Sequence, residues 1–264
     1  MIWLLFAGCT GTESLPEGPL RTTSFEGQTR EYRLFVPESE GPHPVLIALH
    51  GGGGADESML APGKRIGMTS KETATALITP IGARGDRGQW APEDARFLIH
   101  ILDEVSTLTP IQTDRVHLIG FSGGGRLGYQ TAAEYPDRIH AVATLHARAG
   151  VRGPDGQWVA PFDPNATGAS GVHIFNFFGG TDPNRVENET GLGQEETLAL
   201  WERANGATRE APVSLVHAPD EVRVWMKVNP ATGTSVVGAV EPDLGHEWPA
   251  WNITSDIFDF FNLP

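Results

Sequence analysis

The sequence predicts an α/β fold in which a mostly parallel central sheet carries helices on both faces. Short apolar runs such as 44–50 and 116–121 end at glycine clusters, which is typical of strands buried on both faces of a parallel sheet. These runs alternate with helical periodicity, clearest over 94–108, where apolar residues recur at spacings of three and four. The length of 264 residues suits one large domain with a sizeable core, because hydrophobic residues make up 39% of the chain.

The predicted elements follow one another from residue 29 onwards. A polar segment from residue 10 to about 24 is expected to be a linker, and 29–36 the first edge strand. Further strands are expected at 44–50, 75–80, 116–121, 139–145, 173–178 and 222–228, with helices at 94–108, 123–134, 194–204 and 253–261. The segment 150–170 is expected to be a long loop that contributes to a lid. This order gives a signal remnant and linker over 1–24 and a single domain over 25–264.

The chain is acidic and contains one cysteine. A formal net charge of −14 argues against nucleic acid and anionic membrane surfaces as partners, since both attract basic patches. The apolar run 2–7 precedes Gly8 and Cys9, a pattern that resembles a bacterial lipoprotein signal in which the cysteine is acylated. We therefore expect export, with a lipid anchor through Cys9 at the periplasmic side or the cell surface, and secretion as the alternative. Elsewhere no stretch approaches the ~18 consecutive apolar residues of a membrane span.

A five-residue motif carries the strongest chemical signal. Gly120-Phe121-Ser122-Gly123-Gly124 matches G-x-S-x-G and lies between an apolar strand and a predicted helix. That setting is typical of the nucleophile elbow of the α/β-hydrolase fold, where small residues leave the serine hydroxyl clear of the sheet. We expect Ser122 to be a nucleophile; the alternative is a serine in an ordinary glycine-rich turn.

A serine nucleophile needs a general base and an orienting acid, which in this fold follow it in the order acid, then histidine. His246 lies in a loop just before the last helix and is the expected base. Asp182 follows the predicted strand 173–178 and is the expected acid, although it could instead be a turn residue beside a proline. The other carboxylates considered are Asp155, Asp163, Glu187 and Asp220. Structural roles are expected for the histidines in apolar, strand-like segments, which are His140, His146 and His173.

The oxyanion of acyl transfer needs backbone N–H donors. Gly123, directly after the serine, is expected to supply one, and the glycine-rich loop 50–54 the other. This loop lacks the lysine of a P-loop and the spacing of a dinucleotide-binding turn, so phosphate binding is disfavoured. His50 is expected to be structural. The chemistry requires no metal and no organic cofactor.

Taken together, these motifs resemble the LpqC-type polyhydroxybutyrate depolymerase and feruloyl and acetyl xylan esterase group, among the esterase-D-like α/β hydrolases. The resemblance runs from about Arg30 to the C-terminus and includes the segments 49–52, 120–124, 180–182 and 245–249. It implies a triad of Ser122, Asp182 and His246, oxyanion donors at Gly52 and Gly123, and aromatic substrate contacts at Trp248 and Trp90.

The resemblance therefore implies a serine esterase that hydrolyses carboxylic esters through an acyl-enzyme, with feruloyl, acetyl or other short-chain esters favoured. A polyhydroxyalkanoate depolymerase or oligomer hydrolase is the alternative within the same chemistry. A non-catalytic surface lipoprotein that binds ligands is the alternative from another class. The expected partner is a small, oligomeric or polymeric ester.

Overall fold

The computed structural model describes residues 18–82, 90–91, 93–152, 158–159, 171–186 and 192–262. Its strands are β1 (Leu20–Phe25), β2 (Gln28–Phe35), β3 (His43–Leu49), β4 (Ala76–Pro80), β5 (Ile111–Phe121), β6 (Ala141–Leu145), β7 (Val151–Arg152), β8 (Trp158–Val159), β9 (His173–Gly179), β10 (Arg209–Ala211), β11 (Arg223–Val228) and β12 (Ser235–Glu241). Its α-helices are α1 (Ile66–Glu72), α2 (Asp94–Leu108), α3 (Gly123–Glu134), α4 (Gln194–Asn205) and α5 (Ile253–Phe261). Three 3-10 helices cover Asp56–Leu60, Pro62–Lys64 and Pro183–Arg185.

A ten-stranded sheet forms the centre of the described structure, in the order β1-β2-β4-β3-β5-β6-β9-β12-β11-β10. The six inner strands, from β4 to β12, are all parallel, whereas the two strands at each edge pair antiparallel. β7 and β8 form a separate two-stranded ladder. The carboxyl ends of the inner strands therefore meet at one edge of the sheet, where ligands bind in open α/β sheets.

The inner strands are apolar on both faces because helices cover both. In β3, alternate residues point to opposite faces: Val45 and Ile47 pack with α2 and α3, and Leu46 and Ala48 pack with α1 and α5. β9 is buried along its whole length. The two cores thus fix the positions of the strand ends at which the loops begin.

Most predicted elements are present, and several structural elements were not predicted. β1 begins within the segment 10–24 that was expected to be a linker, and its alternating half-exposed pattern suits its antiparallel pairing with β2. β12 and α1 were also missed. β12 contains Gly238 at the position opposite Trp225, and a Cβ on this glycine would lie 2.4 Å from the indole ring.

Several predictions fall on residues outside the described part of the chain. They concern Cys9, the alternative acids Asp155, Asp163 and Glu187, and most of the expected loop 150–170 apart from the strands β7 and β8. Among the residues that are described, no helix is both long enough and apolar enough to traverse a bilayer.

Candidate active site

Five candidate functional groups follow five neighbouring parallel strands. Gly52 follows β3, Ser122 follows β5, His146 follows β6, Asp182 follows β9 and His246 follows β12. These strands are adjacent in the order β3-β5-β6-β9-β12, so the groups stand side by side along the carboxyl edge of the sheet. The sequence predicted four of the five for the site; His146 was expected to be structural.

Ser122 occupies a strained turn between β5 and α3. Its backbone has φ 52° and ψ −114°, a conformation that non-glycine residues rarely adopt and that is concentrated at functional sites. The flanking glycines make the turn sterically feasible. A Cβ on Gly120 would lie 2.5 Å from the Cα of Gly125, and one on Gly124 would lie 2.2 Å from the carbonyl oxygen of Leu49. The motif therefore forms the tight elbow that its pattern predicted.

Asp182 accepts hydrogen bonds through both of its carboxylate oxygens. The Asn184 backbone N–H donates to Oδ1 at 2.8 Å, so Asp182 also caps the short helix Pro183–Arg185, as the turn interpretation anticipated. The Nδ1 atoms of His246 and His146 both lie against Oδ2, at 2.8 and 2.7 Å. Burial opposes ionisation of this carboxyl group, but the hydrogen bonds from His146, His246 and Asn184 outweigh it and hold the pKa of Asp182 well below its usual value.

The two imidazoles on Asp182 differ in exposure. The His246 side chain is 32% exposed, and its ring lies 5.3 Å from the ring of Phe121, the residue before Ser122. The His146 side chain is fully buried. His246 is therefore the histidine that both contacts the acid and faces solvent beside the elbow. His146 was missed because its apolar surroundings are typical of a core residue; its position directly after the predicted strand 139–145 was the available signal.

The two glycines predicted to supply oxyanion donors lie next to each other. The Gly52 backbone nitrogen is 3.3 Å from the position that a Cβ on Gly123 would occupy, and Cδ1 of Trp90 is 3.8 Å from it. Trp90 is held in place by His50: its Nε1–H donates to the His50 carbonyl oxygen at 2.8 Å, and the two rings stack 4.4 Å apart. Burial lowers the pKa of His50, which favours its neutral form.

Two aromatic rings and one lysine form a cluster beside the elbow. The half-buried Trp248 lies 6.2 Å from Phe121, ring centre to ring centre. The Lys64 ammonium lies over both rings, 5.1 Å from the centre of Trp248 and 5.6 Å from that of Phe121. Burial lowers the pKa of Lys64. Both predicted tryptophans thus lie beside the elbow, Trp90 next to Gly123 and Trp248 next to Phe121.

The described residues also include one set whose composition could suit a metal ion. The ligand atoms of His146, Asp182 and His246 lie within 4.8 Å of one another. The Nδ1 atoms and the carboxylate of this set are already joined by hydrogen bonds, so the arrangement suits proton transfer as it stands. That the chemistry needs no metal remains a prediction.

Comparison with known proteins identifies relatives that are named esterases. No protein-family model matches the chain. A putative esterase, NocK, from Nocardia uniformis subsp. tsuyamanensis is 28% identical over 91% of this chain and 78% of its own length. Feruloyl esterase B from Neurospora crassa is 26% identical over 93% of this chain and 94% of its own length. The solved structure of an acetyl xylan esterase from Aspergillus awamori superposes with a TM-score of 0.68, at 14% identity, over 94% of this chain and 100% of the other. This likeness, with the parallel sheet, confirms the predicted α/β-hydrolase fold.

Proposed function

We propose that the chain is a serine-dependent carboxylic-ester hydrolase with Ser122 as nucleophile, His246 as general base and Asp182 as orienting acid. The observation that carries the proposal is the 2.8 Å contact of His246 Nδ1 with Asp182 at the same sheet edge as the strained Ser122 elbow. The names of the relatives point to the same chemistry.

The reaction follows from this arrangement in two halves. His246 removes the Ser122 proton as the hydroxyl oxygen attacks the ester carbonyl, and the Gly52 and Gly123 N–H groups bind the oxyanion. The alcohol leaves with the proton from His246, and an acyl-enzyme remains on Ser122. Water then gives a proton to His246 and attacks the acyl carbon, which releases the acid and restores the serine. Asp182 stabilises the imidazolium in both halves.

The favoured substrates are feruloyl or acetyl esters, including those linked to carbohydrates. A feruloyl esterase is among the relatives that align along nearly the whole chain. Trp248 and Trp90 flank the elbow with half-buried aromatic faces, against which a hydroxycinnamoyl ring can stack. A short polyhydroxyalkanoate remains the alternative and would present an aliphatic acyl group to the same site. Export and a lipid anchor at Cys9 also remain predictions.

The decisive experiment replaces the nucleophile. Ser122→Ala should lower kcat/KM for p-nitrophenyl acetate by at least roughly 10³-fold, because the acyl-enzyme can no longer form. It should also abolish labelling by a fluorophosphonate probe. The matched control is Ser106→Ala, at an exposed serine of α2, which should change neither.

A panel of methyl ferulate, acetylated xylan and a hydroxybutyrate oligomer then ranks the substrate classes by kcat/KM. Normal turnover by Ser122→Ala would falsify the proposed function. Turnover of none of the esters, with an unlabelled wild-type serine, would favour the ligand-binding alternative.

A further inference from the structure

His146 contacts the proposed acid, Asp182, but has no role in the proposed reaction. Its Nδ1 lies 2.7 Å from Asp182 Oδ2, the same oxygen that His246 Nδ1 contacts at 2.8 Å. The residue directly follows β6 and has φ 57°, in the left-handed region that side chains other than glycine rarely adopt. Its backbone N–H donates to the Phe177 carbonyl oxygen at 2.8 Å, which fixes the residue between β6 and β9.

The hydrogen bonding fixes the tautomer of both rings. An ionised carboxylate only accepts hydrogen bonds, so each Nδ1 that contacts Oδ2 carries a proton. In His246 this leaves Nε2 with a free lone pair, as a general base requires. In His146 the bare Nε2 is buried and has no hydrogen-bond partner among the described residues. The ring is enclosed by the aromatic side chains of Phe121, Phe177 and Phe178, with centres 5.6 to 5.7 Å away. The short polar contact of this ring in the described structure is therefore with Asp182; the Gly179 backbone nitrogen lies farther from Nδ1, at 3.5 Å.

We propose that His146 is a positioning residue that tunes the triad by sharing the Asp182 carboxylate with His246. Two donors on one oxygen divide its negative charge, so Asp182 holds a protonated His246 less strongly than it would alone. The hydrolase therefore stays active further into the acid range. This inference rests on the proposed function of Ser122, Asp182 and His246.

Other charged groups face the same cluster and must stay constant in any test. Arg148, which follows β6, donates a hydrogen bond to Asn184 and interacts with the Asp182 carboxylate through its charge. Within the described residues, the titratable and charged groups beside His246 include Asp182, His146, Arg148, Lys64 over Phe121 and Trp248, and the neighbouring Glu247.

Two variants separate the hydrogen bond from the backbone conformation. His146→Asn keeps an N–H donor, and His146→Gly has none, while asparagine and glycine both tolerate positive φ. The pH profile of kcat/KM for p-nitrophenyl acetate should keep its acid limb in His146→Asn. In His146→Gly the acid limb should move to higher pH by about half a unit or more. A merely structural role would lower activity or stability without moving this limb.

A spectroscopic readout keeps the proposal falsifiable if the glycine variant does not fold. Wild-type protein should show two downfield imidazole N–H proton resonances, of which His246→Ala loses one and His146→Asn the other. The proposal is overturned if the acid limb is the same in both His146 variants, or if the wild type shows only one such resonance. Failure of the proposed function is distinct, because Ser122→Ala would then keep its turnover whatever the His146 variants do.

Discussion

Histidines cluster at both ends of the inner parallel strands: at the carboxyl edge, where these strands end, and at the amino edge, where they begin. The two clusters differ in whether a carboxylate contacts the imidazole rings. At the carboxyl edge, His146 and His246 both contact the Asp182 carboxylate. At the amino edge, three rings form a row across β5, β6 and β9, with centres 5.1 to 5.4 Å apart, and no carboxylate accepts a hydrogen bond from them within the described chain. The members of this row are His117, His140 and His173.

Two members of the amino-edge row, His117 and His173, are buried without a carboxylate as hydrogen-bond partner among the described residues. His117 stacks flat on Phe261 at 4.6 Å, and its Nε2 has no hydrogen-bond partner among the described residues. Burial, with the charge of His140 acting in the same direction, lowers the pKa of His117 to about 3 and that of His173 to about 4. These rings are therefore neutral at pH 7, and folding resists their protonation. Burial away from a carboxylate disfavours the charged form of a histidine and so destabilises the folded state in acid, whereas contact with Asp182 places His146 and His246 at the proposed active site.

Removing the Asp182 carboxylate should have the largest effect on the carboxyl-edge cluster, because both of its histidines contact this group. In Asp182→Asn the amide cannot stabilise the imidazolium and does not select the Nδ1–H tautomer of His246. We expect kcat/KM for p-nitrophenyl acetate to fall by roughly 10⁴-fold. The matched control is Asp220→Asn, at an exposed carboxylate that the sequence left as an alternative acid. If Asp220→Asn lost as much activity as Asp182→Asn, the assignment of the acid would be wrong.

A second prediction concerns stability at the amino edge. The pKa of His117 in the folded state, about 3, is below its ordinary value of about 6.5. The unfolded chain therefore binds more protons below pH 6.5, so stability is highest above this pH and falls as the pH drops towards 3. At pH 5 the contribution of His117 to this loss is about 2 kcal/mol. His117→Phe keeps the stacked ring and should remove that part of the loss.

Urea unfolding at pH 7.5 and pH 5 measures this effect directly. The free energy of unfolding should drop less between the two pH values in His117→Phe than in the wild type. His100→Gln is the control, because His100 lies on α2 outside both clusters and its side chain is 36% exposed. An equal drop in wild type and His117→Phe would show that the amino-edge row does not govern acid stability.

What the sequence could predict depended on how local the signal was. The Ser122 elbow is encoded by five consecutive residues between a strand and a helix, and its glycines are required by contacts with the adjacent chain. Asp182 and His246 were predicted because the proposed acid follows a strand and the proposed base precedes the last helix. All three needed only chain order and a local pattern.

The features that were missed depend on contacts between distant segments. β12 was not predicted because Gly238 interrupts its apolar pattern, and only the structure shows that this gap accommodates the ring of Trp225. In the sequence, His146 has the apolar surroundings of a core residue. Only the sheet order shows that β6 lies between β5, which precedes Ser122, and β9, which precedes Asp182. No spacing along the chain encodes that neighbourhood.

The smallest expected effect comes from supplying the amino edge with a carboxylate of its own. Ser235 Oγ lies 2.8 Å from His173 Nδ1 and is buried, so Ser235→Asp places a carboxyl group beside that ring. An adjacent negative charge favours the imidazolium, and the pKa of His173 should rise from about 4 by on the order of one unit. Part of the loss of folding stability in acid should then disappear.

NMR titration of the His173 ring measures the shift of its pKa, with Ser235→Asn as the uncharged control of the same size. If both variants shift equally, packing rather than charge distinguishes the two edges. If only the aspartate raises the pKa, the carboxylate accounts for the difference between them.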